Sequence, residues 1–488
     1  MKVQIIAPDS DKLTNGLTKG LTKGLSKGSS KDLIKGLIKG SIKGSSNGPA
    51  GGSVNCLTGK FIVPGDKSIS HRAIMLGAIA QGVTEVTGFL TGEDCLSTIS
   101  CFRNLGVDIQ LSGTDVTIKG TGQLSPPDDI LDVGNSGTTL RLMTGLLAGQ
   151  SFTSTITGDD SIKKRPMKRV TDPLSLMGAQ ISGATAPVII KGCGGRPLEG
   201  ISYTLPVASA QVKSAILLAS LYAKGETIIE EPIPTRDHME IMLNYLGADI
   251  EVKYPRQYII SRGQAAYNPN IPLLKARPIS VPGDISSAAF LIAAAVILPG
   301  SEIIISNVGC NPTRTGIIHV LNRMGADIRL QNERIICGET VADILVRYSP
   351  TLKATTISGP EIPSLIDEIP IIAAVALFAQ GETIIKDAAE LRVKETDRIK
   401  VVSEEFQNFF ESSVIPQEDG MIIRGMIRPK TTYREVDSRG DHRLAMSLSV
   451  LALAVKGETV INNAQCADIS FPGFYELLPN TKILHKRT

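Results

Sequence analysis

One pattern recurs six times along the chain and limits what it can fold into. A run of small apolar residues ends in glycine and passes into a β-branched stretch, at AIAQGVTEV, GLLAGQSFTSTI, SLYAKGETII, AVILPGSEIII, ALFAQGETII and ALAVKGETVI. The six glycines are Gly82, Gly149, Gly225, Gly300, Gly381 and Gly457. In the first four copies a second landmark follows, at LGVDI, MGAQI, LGADI and MGADI. Each copy therefore predicts a helix that stops at glycine, a strand, a second helix, a glycine turn and one or two strands.

The first helix of each copy is apolar almost all round, as in SAAFLIAAAVIL and IPIIAAVALFA. A helix without a polar face is a buried helix. Six of them predict domains with helices inside and sheets outside, the reverse of a Rossmann fold or a TIM barrel. We therefore predict an α/β fold, a two-domain inside-out α/β barrel of six repeated βαβαββ-type units, three per domain.

The positive charge of the chain comes from one low-complexity stretch. Residues 17–44 form seven tandem tetrads of the LTKG and LIKG kind. Residues 9–55 hold eight lysines and three aspartates, a balance of +5, whereas the whole chain carries +3 and the rest therefore about −2. Glycine at almost every fourth position disfavours a helix by roughly 1 kcal/mol each. We predict a flexible insertion at about 9–55, with an anionic-surface tether or a transit peptide as the alternatives, and no nucleic-acid partner for the rest of the chain.

Several other classes of protein find no support in the sequence. Seven scattered cysteines without a CxxC pair favour a reducing compartment, and we predict a cytoplasmic protein. No apolar run reaches the ~18 residues of a membrane span. The five histidines lack metal-ligand spacing. Nucleophile elbows, P-loops and GxGxxG after a strand are also missing, so we predict no metal and no cofactor.

Each first helix is preceded by a polar run that mixes Gly, Ser, Asp or Asn. The runs are GDKSISHR (65–72), GNSGTTLR (134–141), VASAQVKS (207–214), GDISSAAF (283–290), LIDEIPII (365–372) and GDHRLAMS (440–447). Free N–H groups at helix starts favour anions, although ordinary N-capping explains any single run. Four cations lie within a turn of these starts, at Lys67, Arg72, Arg141 and Arg443. Isolated buried cations are costly, which predicts bound anions and, if the helix starts converge, an anion-attracting cleft.

Two further segments add charge. SIKKRPMKR (161–169) contains Arg165, and LRVKETDRI (391–399) contains Glu395. Charge runs are usually solvated faces, but Lys394 and Arg398 are four residues apart, which predicts one shared helix face. Asp367 lies within the apolar stretch SLIDEIPIIAAVALFA. It is either a helix cap or a general base with a perturbed pKa, and the pattern alone leaves both open.

These motifs resemble a known family. GDKSISHR, GNSGTTLR, KRPM, ASAQVKSA, RVKETDRI and DHRLAMS, in this order, are similar to the EPSP synthases (3-phosphoshikimate 1-carboxyvinyltransferases) from about Leu57 to the C-terminus, and MKVQIIAP resembles their first strand. The resemblance implies an EPT/RTPC-like fold of two domains hinged at two crossovers. Residues 1–64 plus 282–488 would form the first domain, which contains the insertion, and residues 65–281 the second.

The resemblance also implies a reaction. The enolpyruvyl group of phosphoenolpyruvate would pass to the 5-hydroxyl of 3-phosphoshikimate with release of phosphate, in the shikimate pathway to chorismate and aromatic amino acids. The enzyme would act as a monomer, without cofactor, nucleic-acid or membrane partner. Gly137 stands where an added methyl group would crowd phosphoenolpyruvate and its analogue glyphosate, which implies glyphosate sensitivity.

Site residues carry over motif by motif. The implied 3-phosphoshikimate contacts are Lys67, Ser68, Arg72, Ser209, Gln211, Arg236, Asp367 and Lys394. The implied phosphoenolpyruvate contacts are Lys67, Gly137, Arg165, Gln211, Arg398 and Arg443. Asp367 would be the base for the 5-hydroxyl proton, and Glu395 and Lys67 would handle the proton at the methylene carbon.

Two alternatives remain at this point. The related enolpyruvyl transferases that act on UDP-N-acetylglucosamine share the donor, but their reactive-loop cysteine aligns with Asp160 here, and we interpret Cys193 in KGCGGRP as structural. The other alternative is a non-catalytic anion-binding scaffold, which would not need Asp367, Glu395 and Arg165 together.

Overall fold

The computed structural model describes residues 1–7, 55–193, 196–253, 257–262, 274–427, 429 and 432–484. These fall into two compact units. Unit 1 comprises Met1–Pro64, Gly283–Arg334 and Val341–Thr488, and unit 2 comprises Gly65–Pro282 and Ile335–Thr340. The insertion predicted at about 9–55 lies, apart from Asn55, outside the described residues.

The described elements are numbered in chain order. The helices are α1 (Lys67–Ile79), α2 (Glu93–Asn104), α3 (Gly137–Ala148), α4 (Lys168–Leu176), α5 (Ala210–Ser220), α6 (His238–Tyr245), α7 (Ile285–Ile297), α8 (Gly316–Arg323), α9 (Ile369–Ala376), α10 (Arg398–Phe406) and α11 (His442–Ala454). Short 3-10 helices lie at Ile162–Lys164, Gly359–Ser364, Ala389–Val393, Ala464–Ile469 and Phe474–Leu477.

The strands follow the same numbering. Strands β1 to β15 are β1 (Lys2–Ala7), β2 (Thr58–Phe61), β3 (Ala80–Thr87), β4 (Asp108–Ser112), β5 (Asp115–Thr121), β6 (Leu131–Asp132), β7 (Ser154–Thr157), β8 (Ile181–Ser182), β9 (Val188–Ile190), β10 (Leu198–Glu199), β11 (Ser202–Thr204), β12 (Ala223–Lys224), β13 (Glu226–Glu231), β14 (Ile250–Lys253) and β15 (Gln257–Arg262). Strands β16 to β27 are β16 (Leu274–Lys275), β17 (Ile279–Ser280), β18 (Glu302–Gly309), β19 (Asp327–Ile336), β20 (Glu339–Arg347), β21 (Thr356–Ile357), β22 (Glu382–Ile385), β23 (Val414–Pro416), β24 (Met421–Arg424), β25 (Tyr433–Asp437), β26 (Gly457–Asn462) and β27 (Thr481–Leu484).

Unit 2 combines three buried helices with open sheets. Helix α3 packs against both α1 and α5. The larger sheets have the orders β16-β3-β5-β4, with β17 also paired to β3, β6-β7-β9-β8 and β11-β13-β15-β14, and β10 pairs with β12 in a small fourth sheet. In each larger sheet the strand that follows the buried helix is parallel to one neighbour and antiparallel to the next.

Unit 1 has the same kinds of element. Helices α7, α9 and α11 pack against one another. All residues of α7 and α9 are buried, as are twelve of the thirteen in α11, which explains why their sequences are mostly apolar. The sheets have the orders β25-β26-β1-β27, β19-β20-β18-β2 and β21-β22-β24-β23. The N-terminal strand pairs with β26 in the register Val3↔Ile461 to Ala7↔Gly457, so Lys2–Ala7 forms the predicted first strand.

The described strands form separate open sheets, and none of those sheets closes into a barrel. The mixed α/β class with buried helices is therefore established, whereas the closed inside-out barrel predicted from the sequence is not seen in the described part of the chain. No helix among the described residues is long and apolar enough to cross a membrane.

The six first helices begin where the sequence predicts. Helices α1, α3, α5, α7 and α11 are each capped by a side chain that accepts a backbone N–H, from Asp66, Ser136, Ser209, Asp284 and Asp441 respectively. Helix α9 starts after Glu368 without a side-chain cap, and a proline occupies its second position. A polar capping residue before an apolar run is thus a sufficient signal for five of the six starts.

One of the six glycine stops has a different cause from the others. Five have positive φ angles, for example +115° at Gly82, a conformation that glycine adopts readily. Gly149 instead has a φ of −84°. A Cβ atom there would lie 2.4 Å from the ring of Tyr222, so close packing, not backbone conformation, requires this glycine.

Candidate active site

The start of α1 carries two of the predicted cations of unit 2. The Nζ atom of Lys67 lies 2.9 Å from Oδ2 of Asp94. The guanidinium of Arg72 donates to the carbonyl oxygen of Ser68 at 3.0 Å and to the hydroxyl of Ser214 on α5 at 2.7 Å. Lys67, Ser68 and Arg72 therefore form one group, and Arg72 links it to the start of α5.

The charge state of this group follows from its surroundings. Burial lowers the pKa of Arg72 to about 10, while the charges of Glu240 and Asp66 raise it and that of Arg236 lowers it. Burial also lowers the pKa of the neighbouring His71 to about 3. At neutral pH His71 is uncharged and Arg72 is charged. The positive charge of Arg236 disfavours that of Arg72, an effect that a bound anion would offset.

The start of α3 brings three further predicted residues together. A Cβ atom added to Gly137 would lie 2.7 Å from Nη1 of Arg165 and 2.9 Å from Nη1 of Arg141. Arg141 donates to Oε1 of Gln211 at 2.8 Å, and the Nε2 atom of Gln211 donates to the hydroxyl of Thr138 at 3.2 Å. Gly137, Arg165 and Gln211 thus form a second group, in which two guanidinium groups face a backbone without a side chain.

Ser209 lies at the same helix start as Gln211. Its hydroxyl caps α5 by accepting from the amide of Val212 at 3.4 Å. The side chain is half-buried, and its hydroxyl hydrogen remains available to an acceptor.

In unit 1 the predicted residues gather around Arg398, whose side chain is almost fully buried. Its Nε atom lies 2.8 Å from Oδ2 of Asp441, and its Nη2 atom lies 2.7 Å from Oε2 of Glu395. Its Nη1 atom lies 3.5 Å from Oδ1 of Asp367. Burial lowers the pKa of Arg398, but the charges of Asp441, Glu395 and Asp367 more than offset this, and the net shift is upward. Arg398 is therefore a permanent cation shared by three carboxylates.

The predicted helix face shared by Lys394 and Arg398 is wrong. Lys394 has an extended backbone, and α10 begins only at Arg398, because Asp397 caps it by accepting from the amide of Lys400 at 3.1 Å. The two cations nevertheless meet at one carboxylate. Nζ of Lys394 lies 3.6 Å from Oδ1 of Asp367, the same oxygen that Arg398 approaches.

The last predicted cation, Arg443, lies at the start of α11. Its Nη1 atom lies 3.4 Å from Oε1 of Glu368, the residue before α9. The same Oε1 accepts a short hydrogen bond from the hydroxyl of Ser286 on α7. Arg314, which is also buried, donates to that hydroxyl at 2.7 Å. The starts of α7, α9 and α11 are therefore joined by hydrogen bonds around two arginines.

The sequence argument that buried cations require a bound anion needs correction. Lys67, Arg398 and Arg443 each lie near a carboxylate of their own unit. Burial alone therefore does not demand a ligand, because the protein already supplies a negative partner. A bound anionic substrate would compete with these carboxylates for the same cations.

Several residues of these groups were missed by the sequence argument. The carboxylates Asp94, Glu368 and Asp441 and the cation Arg314 belong to them. Asp441 and Glu368 lie within the polar runs GDHRLAMS and LIDEIPII, which were noted for Arg443 and Asp367. A carboxylate at the start of a buried helix was therefore a signal from which both could have been predicted. Asp94 and Arg314 had no comparable local signal, because their partners lie 27 or more residues away.

Among the described residues, the two positions raised by the alternatives have the contacts of ordinary structural side chains. Asp160 is 92% exposed and pairs only loosely with Lys163, at 3.4 Å. The thiol of Cys193 donates to the carbonyl oxygen of Gly149 at 3.3 Å, which supports a structural role. Across the described ranges, no three His, Cys, Asp or Glu side chains are grouped to hold a metal ion.

Comparison with known proteins decides the family. A sequence model described as EPSP synthase (3-phosphoshikimate 1-carboxyvinyltransferase) matches residues 53–478. The chain belongs to the EPSP synthase family. A 3-phosphoshikimate 1-carboxyvinyltransferase of Thermoanaerobacter sp. (strain X514) is 53% identical over 432 residues, which cover 86% of this chain and 96% of the relative. A protein of the same name from Brevibacillus brevis is 52% identical over 428 residues, with 86% and 97% covered.

Solved structures agree with this membership. An EPSP synthase from Acinetobacter baumannii is 45% identical and superposes with a TM-score of 0.77, covering 88% of this chain and 98% of that structure. The enolpyruvyl transferase NikO from Streptomyces tendae is only 18% identical but has a TM-score of 0.70, with 87% and 94% covered. This second likeness shows a shared fold and no more.

Proposed function

We propose that this EPSP synthase transfers the enolpyruvyl group of phosphoenolpyruvate to the 5-hydroxyl of 3-phosphoshikimate and releases phosphate. Membership of the family supports this reaction. The observation that carries the proposal in the structure is Asp367, one carboxylate oxygen approached by two cations, Lys394 and Arg398. Such surroundings keep a carboxylate ionised, as a base must be, and place positive charge beside it for anionic substrates.

Positively charged groups and hydroxyls would bind 3-phosphoshikimate. The proposed contacts are Lys67, Ser68, Arg72, Ser209, Gln211, Arg236, Asp367 and Lys394. The electrostatic repulsion between Arg72 and Arg236 supports a role in holding the carboxylate or phosphate of this substrate, because an anion would relieve it. The hydroxyl of Ser209 at a helix start suits a phosphate oxygen.

Guanidinium groups would bind phosphoenolpyruvate. The proposed contacts are Lys67, Gly137, Arg165, Gln211, Arg398 and Arg443. An arginine presents parallel N–H donors to a carboxylate or a phosphate, which suits a donor that carries both. The bare backbone at Gly137, with Arg165 and Arg141 beside it, supports a close approach of this substrate.

The chemistry would need only proton transfers within this set. Asp367 takes the proton of the 5-hydroxyl as the oxygen bonds to C2 of phosphoenolpyruvate, and Glu395 or Lys67 gives a proton to C3. The resulting tetrahedral intermediate then loses phosphate by cleavage of the C2–O bond, while C3 returns a proton and the enol ether forms.

We further propose that units 1 and 2 are the two domains of the enzyme, each an inside-out arrangement of three repeated helix–sheet segments, and that the enzyme is a monomer. The occurrence of three sheets of the same strand pairing in each unit supports the repeat. The hairpin end Ile335–Thr340 would belong to the second domain, in addition to the residues predicted from the sequence.

Phosphate release tests the proposed function. The purified full-length chain, given phosphoenolpyruvate, is expected to release inorganic phosphate only when 3-phosphoshikimate is also present. Release with UDP-N-acetylglucosamine instead would favour the related transferase. No release with either acceptor, together with retained binding of both anions by calorimetry, would indicate a scaffold.

Glyphosate inhibition tests the role of Gly137. We expect glyphosate to inhibit the wild type competitively with phosphoenolpyruvate. In Gly137→Ala, the new methyl group would stand under 3 Å from the guanidinium groups of Arg165 and Arg141 and displace them. The inhibition constant is expected to rise at least roughly tenfold, by analogy with the ~1–3 kcal/mol that one methyl group contributes to discrimination in a tight pocket. An unchanged inhibition constant in a folded, active variant would contradict this placement.

A further inference from the structure

A fully buried cluster of three charged side chains lies in unit 2, outside the groups assigned above. Lys213, on α5, has its Nζ atom 2.8 Å from Oε2 of Glu231 and 2.7 Å from Oε1 of Glu240. All three side chains are at most 3% exposed. We call Lys213, Glu231 and Glu240 the buried triad.

The buried triad joins three elements of the chain. Lys213 belongs to α5, Glu231 ends β13, and Glu240 lies in the first turn of α6. Between β13 and α6 runs the short link that carries Thr235 and Arg236. Nζ of Lys213 donates to the carbonyl oxygen of Thr235 at 3.4 Å, and the hydroxyl of Thr235 donates to Oε1 of Glu231. Thr235, the residue before Arg236, is therefore held by two triad members, through its carbonyl oxygen and through its hydroxyl.

A second contact leads from the triad to Arg72. Ser214, which follows Lys213 on α5, accepts a hydrogen bond of 2.7 Å from Nη2 of Arg72. Glu240 is also close enough to stabilise the charged form of Arg72. The triad carries a net charge of −1 when its members are ionised, which offsets part of the repulsion between Arg72 and Arg236.

Stability alone does not account for such a cluster. Burying three charges costs desolvation free energy that is about as large as the free energy gained from their mutual attraction. Well-packed apolar side chains of similar volume therefore often give an equally stable fold. What apolar side chains cannot do is donate to a carbonyl oxygen, as Lys213 does to that of Thr235, or place a negative charge near Arg72, as Glu240 does. The geometry of the triad therefore fits a positioning role better than a purely structural one.

We infer that the buried triad positions Arg236 and Arg72 and thereby sets the affinity of the enzyme for its phosphorylated acceptor. This inference rests on the proposed function, in which these two arginines contact 3-phosphoshikimate. Neither Arg165 nor Gly137 is linked to the triad by the hydrogen bonds described above, so the affinity for phosphoenolpyruvate should not depend on it.

The test is a steady-state comparison of two variants with the wild type. Lys213→Met removes the cation while keeping most of the side-chain volume, and Glu240→Gln removes one charge without changing the shape. In both, the KM for 3-phosphoshikimate is expected to rise about tenfold, while the KM for phosphoenolpyruvate stays within twofold. The dissociation constant of 3-phosphoshikimate, measured by calorimetry, should rise in parallel.

Ser220→Ala is the matched control. Ser220 lies on the same helix, is fully buried, and donates a hydrogen bond of 2.7 Å to Ser261, but it touches no proposed substrate contact. Its loss should lower stability and leave both KM values unchanged. If Lys213→Met does not fold, Glu240→Gln alone decides the matter.

Three outcomes would overturn the inference. Unchanged KM values for 3-phosphoshikimate, or equal rises for both substrates, would do so while the wild type remains active. Failure of both triad variants to fold, while Ser220→Ala folds, would show that the triad serves the fold instead. A wild type without acceptor-dependent phosphate release would overturn the proposed function first, so the two failures are distinguishable.

Discussion

Asp367→Asn is expected to lower kcat about 10³-fold while the KM values for both substrates change little. The amide has nearly the shape of the carboxylate but cannot take the proton of the 5-hydroxyl. A positioned general base contributes typically 10²–10⁴-fold to a rate, and the expected loss lies within that range. Steady-state phosphate release at saturating substrates measures it.

The fold of this variant should be intact, because the cations around Asp367 keep other partners. Arg398 retains Asp441 at 2.8 Å and Glu395 at 2.7 Å. Asp387→Asn is a suitable control, since Asp387 accepts from the amide of Gly359 at 2.9 Å and has a φ of +61°, which asparagine tolerates. The control should keep kcat within twofold. A kcat for Asp367→Asn within tenfold of the wild type would exclude Asp367 as the base and favour a role in binding alone.

Local signals in the sequence were enough to place the helix starts. An Asp or Ser before an apolar run both caps a helix and marks its first residue, and this holds at Asp66, Ser136 and Asp284. The same rule applied to Asp397 would have corrected the prediction that Lys394 and Arg398 share a helix face. Asp397 caps α10, so Lys394 lies before the helix and not on its face.

Pairings between distant segments could not be predicted in this way. Arg398 and Asp441 are 43 residues apart, and Arg443 and Glu368 are 75 apart. Their proximity depends on how α9, α10 and α11 pack, which periodicity does not specify. The resemblance to the family gave the identity of the cations, but the carboxylates that neutralise them became visible only in the structure.

Arg398→Met is expected to lower the free energy of unfolding of unit 1 by about 3–5 kcal/mol, the usual effect of removing one partner from a buried ion pair. Asp441, which is fully buried, would lose its guanidinium partner, and Glu395 and Asp367 would lose a shared cation. The phosphoenolpyruvate KM should rise as well, because Arg398 is a proposed contact.

The pH dependence of this effect has a definite sign. The pKa of Arg398 is raised in the folded protein, so the stability it contributes is fully present below the pH at which a free arginine titrates and is lost only above that range. The difference between wild type and variant should therefore be constant from about pH 6 to 9, well below the range in which an arginine titrates.

Urea unfolding followed by far-ultraviolet circular dichroism measures the loss, since the chain has no tryptophan to report by fluorescence. Arg424→Met is the control, because Arg424 pairs with Glu382 at 2.9 Å with both side chains at least half exposed. An exposed pair contributes about 0–1 kcal/mol, so the same substitution there should have little effect. Equal losses in the two variants would mean that the buried pair of Arg398 and Asp441 contributes no more than an exposed pair, and that Arg398 serves the substrate without supporting the fold.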